Sequence, residues 1–236
     1  MELIKGVRTA CLSAGLGIIL LAGCSVIPTS PVIGWNENIT IDKNTVSSTG
    51  VNPYFNLTPG YQLVFEDKHK VHLTITVLAE TKIVDGVETR VVEERETEDG
   101  KLTEISRNYY AISRKDNTVY YFGEDVDNYS EEGTVSSHAG AWQAGVNGAK
   151  VGIMMPGVLK PGLKYYQEIA PPVAQDRAEI VSINSSLEVP AGKFDKVLKT
   201  EETSPLEPKS REYKFYAPGI GLIKDGGLEL IKHGKE

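Results

Sequence analysis

Cysteine is almost missing from this sequence: the 236 residues hold two, Cys11 and Cys24. A disulfide-rich scaffold and a zinc site built from several thiolates are both excluded. Histidine is sparse too, with four scattered copies at His69, His72, His138 and His233. His69 and His72 lie three apart in or beside a strand, so they face opposite sides and make no metal pair. Positive charge runs short: 25 Lys and Arg against 32 Asp and Glu leave a net charge of −7. A basic face for nucleic-acid phosphates is therefore not expected. No apolar run reaches the ~18 residues of a membrane span, and no stretch sustains a 3.6-residue period. Catalytic signatures are missing as well. There is no G-x-S-x-G, P-loop, H-E-x-x-H or S-x-x-K. Ser136-Ser137-His138 has no orienting acid, and neighbours in a strand face apart, so it is not read as a nucleophile with its base.

What is present is the composition of a globular chain, 40 % hydrophobic and 24 % charged, with 23 Gly and 12 Pro to make turns. Residues 1–23 read as a signal segment: Lys5 and Arg8 at the front, an uncharged stretch from Thr9 to Leu21, then small residues. Leu21-Ala22-Gly23-Cys24 resembles the bacterial lipobox. That resemblance implies cleavage before Cys24, a diacylglyceryl group on its thiol and a further acyl chain such as palmitate on the new amine. The mature chain would then be a membrane-anchored envelope lipoprotein. Ser25 in place of Asp implies the outer membrane if the host is Gram-negative. Residues 24–50 are rich in Ser, Thr, Asn, Pro and Gly and are expected to form a flexible tether spanning roughly 25–30 Å. Trp35 within it is expected to pack on the domain or at the membrane interface.

Residues 51–236 are expected to form a single all-β domain. Val71, Leu73, Ile75, Val77 and Ala79 alternate with polar residues, Leu78 being the misfit. Asp85-Gly86 and Asp99-Gly100 separate alternating runs and predict tight hairpins. A meander of about four strands follows through Phe122. Further strands are expected at 165–169, 178–183, 194–200, 211–216, 221–224 and 228–232. Five glycines between Gly140 and Gly157 rule out a stable helix there. About ten antiparallel strands predict a β-sandwich, or a strongly curved, near-barrel sheet.

Three groups could carry chemistry. Glu124 to Glu132 reads as an acidic loop, and Asp125, Asp127, Asn128 and Glu131 supply the hard oxygens that Ca²⁺ takes, although the loop is no EF-hand. Glu94, Glu96 and Glu98 share a face beside Arg90 and are expected on a solvated outer surface that also discourages edge pairing. The aromatics come in adjacent sets, Tyr109-Tyr110, Tyr120-Tyr121-Phe122, Tyr165-Tyr166 and Tyr213 to Tyr216, so that one member of each pair points inward. Sequons at Asn38, Asn56, Asn128 and Asn184 are expected by chance in a Ser/Thr-rich chain.

Several words between 51 and 232 resemble an uncharacterised family of secreted bacterial β proteins and lipoproteins. They are Asn52-Pro53-Tyr54-Phe55 with Leu57-Thr58-Pro59-Gly60, Asp85-Gly86-Val87-Glu88-Thr89-Arg90, Tyr121-Phe122-Gly123-Glu124-Asp125, Met155-Pro156-Gly157, Val189-Pro190-Ala191-Gly192-Lys193-Phe194 and Tyr216-Ala217-Pro218-Gly219-Ile220-Gly221. The resemblance implies a β fold and export, with no activity to carry over. The function expected is a non-enzymatic binding or structural domain with a lipid or protein partner, with room for a hydrophobic ligand. The alternative is a hydrolase or carbohydrate-active enzyme using paired carboxylates.

Overall fold

The computed structural model describes residues 34–235. A 3-10 turn, Lys43–Thr45, precedes three two-residue strands, β1 (Val46–Ser47), β2 (Val51–Asn52) and β3 (Phe55–Asn56). Long strands follow: β4 (Tyr61–Glu66), β5 (Val71–Val84), β6 (Val87–Glu98), β7 (Lys101–Ser113) and β8 (Val119–Tyr129). Four short ones come next, β9 (Val135–Ser137), β10 (Trp142–Gln143), β11 (Gly152–Met155) and β12 (Lys164–Tyr166). The chain ends with β13 (Arg177–Val189), β14 (Gly192–Thr203), β15 (Glu212–Ala217), β16 (Gly221–Asp225) and β17 (Leu228–Lys235). Fifteen strands share one antiparallel sheet: twelve run in the order β10-β8-β7-β6-β5-β4-β17-β16-β15-β14-β13-β12, with β1 added on β7 and β9 and β11 on β8, while β2 and β3 pair apart. The expected all-β, strongly curved sheet is what the chain forms, with more strands than the ten anticipated: several run longer than expected, such as Arg177–Val189 against 178–183, and the added ones are short.

The sheet curls without closing into a barrel. Its ends approach where β11, paired to β8, meets the segment after β12 through a single bridge, Lys150 to Ile169. Gly152 makes this approach possible, because a Cβ there would lie 1.8 Å from the Gln167 carbonyl. Bulges interrupt the β5–β6, β6–β7, β7–β8 and β13–β14 ladders, and each one bends its strand. Both Asp-Gly pairs form the expected turns, with positive φ at Asp85, Gly86, Asp99 and Gly100.

The Leu78 misfit has a physical cause. The β5–β6 register shifts between Val77 and Thr81, freeing carbonyls that the buried Arg90 guanidinium collects. Its Nη1 donates to the Leu78, Ala79 and Glu80 carbonyls, at 2.6 Å for Ala79. Its other nitrogens donate to Ser48 O at 3.0 Å and Thr49 Oγ1 at 2.7 Å. Arg90 is thus an interior fastening and not the outer-face partner of the β6 glutamates.

The same contacts correct the tether. Its first residues lie outside those described. Its last nine are built into the domain: β1 pairs with β7, Val46 and Ser48 are buried, and Lys115 and Asp85 hold Asp42 and Lys43. Trp35 packs on Tyr166, with ring centroids 5.9 Å apart, under the Arg177 guanidinium at 4.4 Å. Packing on the domain is therefore the outcome for Trp35.

Two apolar clusters hold the fold. The larger lies inside the curl and joins residues of β5–β8 to Tyr165, Ile180, Leu198 and Tyr216. The smaller packs the tip of the β13–β14 hairpin (Val189, Val197) onto Phe65, Leu73, Ile223 and Leu230.

Candidate functional site

Cross-strand partners share a face, so the registers identify what lines the curl. One row runs Val77, Val92, Asn108, Glu124, Trp142. The next runs Ile75, Glu94, Ser106, Val126. Across the interior lie Asp225, Lys214, Thr200, Ile180 and then Glu212, Glu202, Ala178, Tyr165. Apolar and charged side chains therefore alternate in depth on one concave surface.

Two spaces result. The first is an apolar cavity of about 90 Å³ bounded by Leu73, Ile75, Tyr110, Tyr216 and Leu222, with Glu94, Asp225 and Lys214 at its edge. The second is a cleft of about 390 Å³ bounded by Glu124, Glu168, Glu202, Glu212, Asp176 and Lys214. Lys214 borders both, and its Nζ lies 3.1 Å from Glu202 and 3.3 Å from Asp225. An aromatic row lies in the core nearby: Tyr110 stacks on Tyr121 at 4.7 Å, and Tyr121 meets Trp142 edge-on at 5.3 Å.

The electrostatics follow from one cation serving many carboxylates. Burial first, then Glu168, Glu94 and Glu104, push the Glu124 carboxyl up to about 9, with Tyr121 opposing. Burial and Asp176 push Glu168 up to about 7 against Lys214. Burial pushes Glu94 up to about 7, Lys214 opposing while Asp225, Glu104 and Glu96 add to the rise. Burial disfavours charge on Lys214 itself, but Glu202 and Asp225 outweigh it and hold the ammonium protonated well above its ordinary range. The carboxyls around Lys214 are therefore held toward their protonated form: Glu124 and Glu168 in the cleft, and Glu94 at the edge of the apolar cavity.

Polar atoms here lack partners. Trp142 Nε1, Tyr165 OH and Gln167 Oε1 are buried without a hydrogen bond. Each residue is less than a tenth exposed. Trp142 Nε1 is aimed at the Glu168 carboxyl without bonding geometry. The Gln167 amide nitrogen donates to Glu202 at 3.1 Å, which leaves its oxygen free beside the cleft. Buried orphans are rare in native proteins.

The residues singled out in the sequence fare differently. Cys24 lies outside the described residues. The Glu124–Glu132 segment is not a loop: it is strand through Tyr129, then a turn. Asp125 accepts from Tyr109 OH, Lys82 and Gln143. Asp127 is bound by Arg107 and lies 3.0 Å from His138. The Asn128 amide donates to Ala139 O, and Glu131 is exposed. The four are not brought together around a common point. Among the described residues no three His, Cys, Asp or Glu are arranged to hold a metal ion. Glu94 corrects its reading outright, because β6 turns that face into the curl.

Glu124, Glu168, Glu202 and Lys214 were not singled out as a site. Alternation could have put Glu202 and Lys214 on inward faces, since each follows the parity of a buried neighbour, Thr200 and Tyr216. Nothing in the local sequence marks Glu168, which sits between β12 and the bridge at Ile169.

Neither a known protein family nor a curated protein sequence matches this chain. Among solved structures, it is similar to the crystal structure of a candidate lipoprotein from Parabacteroides distasonis ATCC 8503, with a TM-score of 0.38 and 14 % identity over 79 % of this chain and 100 % of that one.

Proposed function

We propose that this chain is an envelope lipoprotein, anchored through Cys24, whose β domain binds a small polar ligand in the acidic cleft without transforming it. The observation that carries the binding reading is the cleft itself: about 390 Å³ of space walled by under-compensated carboxylates. Ligand sites usually measure ~300–1,000 Å³ and place a few polar groups against an apolar wall. The apolar cavity, at about 90 Å³, falls well short of that range, so a polar ligand replaces the hydrophobic one expected from sequence. The anchor rests on the Leu21-Ala22-Gly23-Cys24 word alone. Two acyl chains on one cysteine give stable attachment without a basic patch, which suits a chain of net charge −7.

Native mass spectrometry of protein extracted from its host membrane tests the binding reading. A small molecule retained on the folded chain and lost on denaturation is expected; repeated recovery of ligand-free protein would sink it. The mass of the N-terminal peptide tests the anchor. Diacylglyceryl on Cys24 is expected, and a free thiol or cleavage at another bond overturns it.

One observation favours a second reading, a carboxylate hydrolase: burial and crowding hold Glu124 at about 9 while Glu168 stands near 7, the separation an acid and a base need. Release of nitrophenol from a panel of nitrophenyl glycosides, abolished by Glu124→Gln, would support it. No turnover across the panel removes it.

A further inference from the structure

We propose that the apolar cavity is a second site, which takes a small aliphatic amine with its hydrocarbon end among Leu73, Ile75 and Leu222 and its ammonium head at Glu94. The site is separate from the acidic cleft and does not rest on the reading of that cleft. Two buried hydroxyls carry it. Tyr110 and Tyr216 are 2 % and 4 % exposed, and both border the cavity while neither borders the cleft. Nearby tyrosines use their hydroxyls inside the protein: Tyr61 donates to Ile220 O at 3.0 Å, Tyr121 to Asn108 and Tyr109 to Asp125. The Tyr110 and Tyr216 hydroxyls make no hydrogen bond among the described residues. Neither is sealed off as Tyr165 OH is, so the surface they keep faces the cavity.

Glu94 is the third group of this kind. Its carboxyl borders the cavity and has neither a hydrogen bond nor an ion pair among the described residues. Lys214, the cation beside it, is taken by Glu202 at 3.1 Å and Asp225 at 3.3 Å. Burial first, then the charge on Glu94, raises the Tyr110 hydroxyl well above its ordinary range, so carboxyl and hydroxyl share one end of the space. The rest of the wall is hydrocarbon, from Leu63, Leu73, Ile75, Val77 and Leu222. Water alone suits only the polar end, because an ordered water needs several polar partners and apolar space stays dry.

Size and charge choose the guest. An apolar cavity of ~150 Å³ takes benzene. At about 90 Å³, this one has room for a chain of about four carbons. Glu94 and Asp225 stand at its edge against the single ammonium of Lys214, so an anionic head is repelled and a cationic one attracted. An ammonium brings three donors and no acceptor. The carboxylate and the two phenol oxygens all accept.

Butylamine is the probe, with butanol and butyrate as the neutral and anionic chains of the same length. Titration of the folded full chain at pH 8, read by NMR of the Leu, Ile and Val methyls, should give saturable shifts centred on Leu73, Ile75 and Leu222. Butylamine should bind roughly tenfold more tightly than butanol, the effect of one hydrogen bond to a charged group, and butyrate should not bind there. Glu94→Gln should weaken butylamine by about the same factor and leave butanol unchanged. The amide occupies the place of the carboxyl without its charge, so the variant should fold; if it does not, the ranking of the three guests on the unaltered chain decides. Equal affinity for butylamine and butanol reduces the site to apolar filling and overturns the amine. Shifts spread over exposed acidic residues and unchanged by Glu94→Gln are counter-ion attraction, and overturn it too. Tighter binding of butyrate overturns the charge assignment. Binding of none of the three overturns the site, while the cleft reading stands or falls separately on native mass spectrometry.

Discussion

The two faces of β6, β7 and β8 carry the same acidic residues and treat them in opposite ways. On the outer face every carboxylate has a cation at hand. Arg107 lies 3.4 Å from Glu93 and 3.1 Å from Asp127, and Lys82 lies 2.8 Å from Asp125. Burial works against Asp125, yet Lys82, Tyr109 and Gln143 together hold its carboxyl below the usual range. On the inner face, one residue along the same strand, Glu124 is pushed to about 9. Glu94 and Glu168 follow with only Lys214 to share. Sequence neighbours thus differ because partners, and not acid content, decide whether a carboxylate keeps its charge. The outer face balances its charge locally; the inner face leaves several carboxylates to one lysine.

Removing the inner cation should break the contrast most severely. Lys214→Met leaves Glu202 and Asp225 inside without a counter-charge, which costs about 3–5 kcal/mol when a buried pair is split. The loss should be full at pH 8 and smaller at pH 5, where protonated Glu94 and Glu168 no longer add to the negative charge that Lys214 balances. Thermal melts at the two pH values check this, and an equal loss at both would mean that Lys214 acts by packing alone.

Glu124→Gln should sharpen the contrast by a smaller amount. A carboxyl raised on folding contributes fully below its unfolded value near 4.5 and loses that contribution as pH climbs toward about 9. The neutral amide escapes this loss. The variant should match the parent at pH 4.5 and exceed it by on the order of 1–3 kcal/mol at pH 8. Chemical denaturation across that window measures it; a gain confined to acid pH would reverse the sign and refute the crowding.

The outer face should respond least. Lys82→Met removes a pair whose members are 34 % and 49 % exposed, and such pairs contribute ~0.2–1 kcal/mol. The carboxyl of Asp125, followed by carbon-detected NMR, should titrate at higher pH in the variant. If it stays depressed, Tyr109 and Gln143 alone hold it down, and the inner face is distinguished by hydrogen bonds and not by cations.

Much of the fold was legible because local chemistry and global pairing agree. Asp85-Gly86 and Asp99-Gly100 demanded positive φ and received it. The alternation through Val71, Leu73, Ile75 and Val77 marked a two-faced strand, and its failure at Leu78 marked the place where Arg90 gathers the bulged carbonyls. The segment 42–50 was misread because Ser, Thr and Asn suit a loose linker as well as a short edge strand held by a distant Arg90 and Lys115. The acidic run 124–132 was misread as a loop for a related reason: Asp and Glu are poor strand formers, yet Tyr109, Arg107 and Lys82 arrive from neighbouring strands to balance them.

What the sequence determined by itself was therefore what depends on near neighbours: the hairpins, the two-residue period and, among the described residues, the absence of α-helix. The tertiary structure alone decided which face of each strand became the inside. A period of two says that Glu94 and Arg95 face apart, but not which way the sheet will curl. That direction is set by bulges, by the glycine approach at Gly152 and by the contact of the β11 segment with Ile169. Once it was set, glutamates from β6, β8, β14 and the segment after β12, up to 108 residues apart by number, came to surround Lys214, Glu94 from the apolar cavity and the others from the cleft. Charge interaction depends on distance through space and on exclusion of water, neither of which is written in any stretch of the chain.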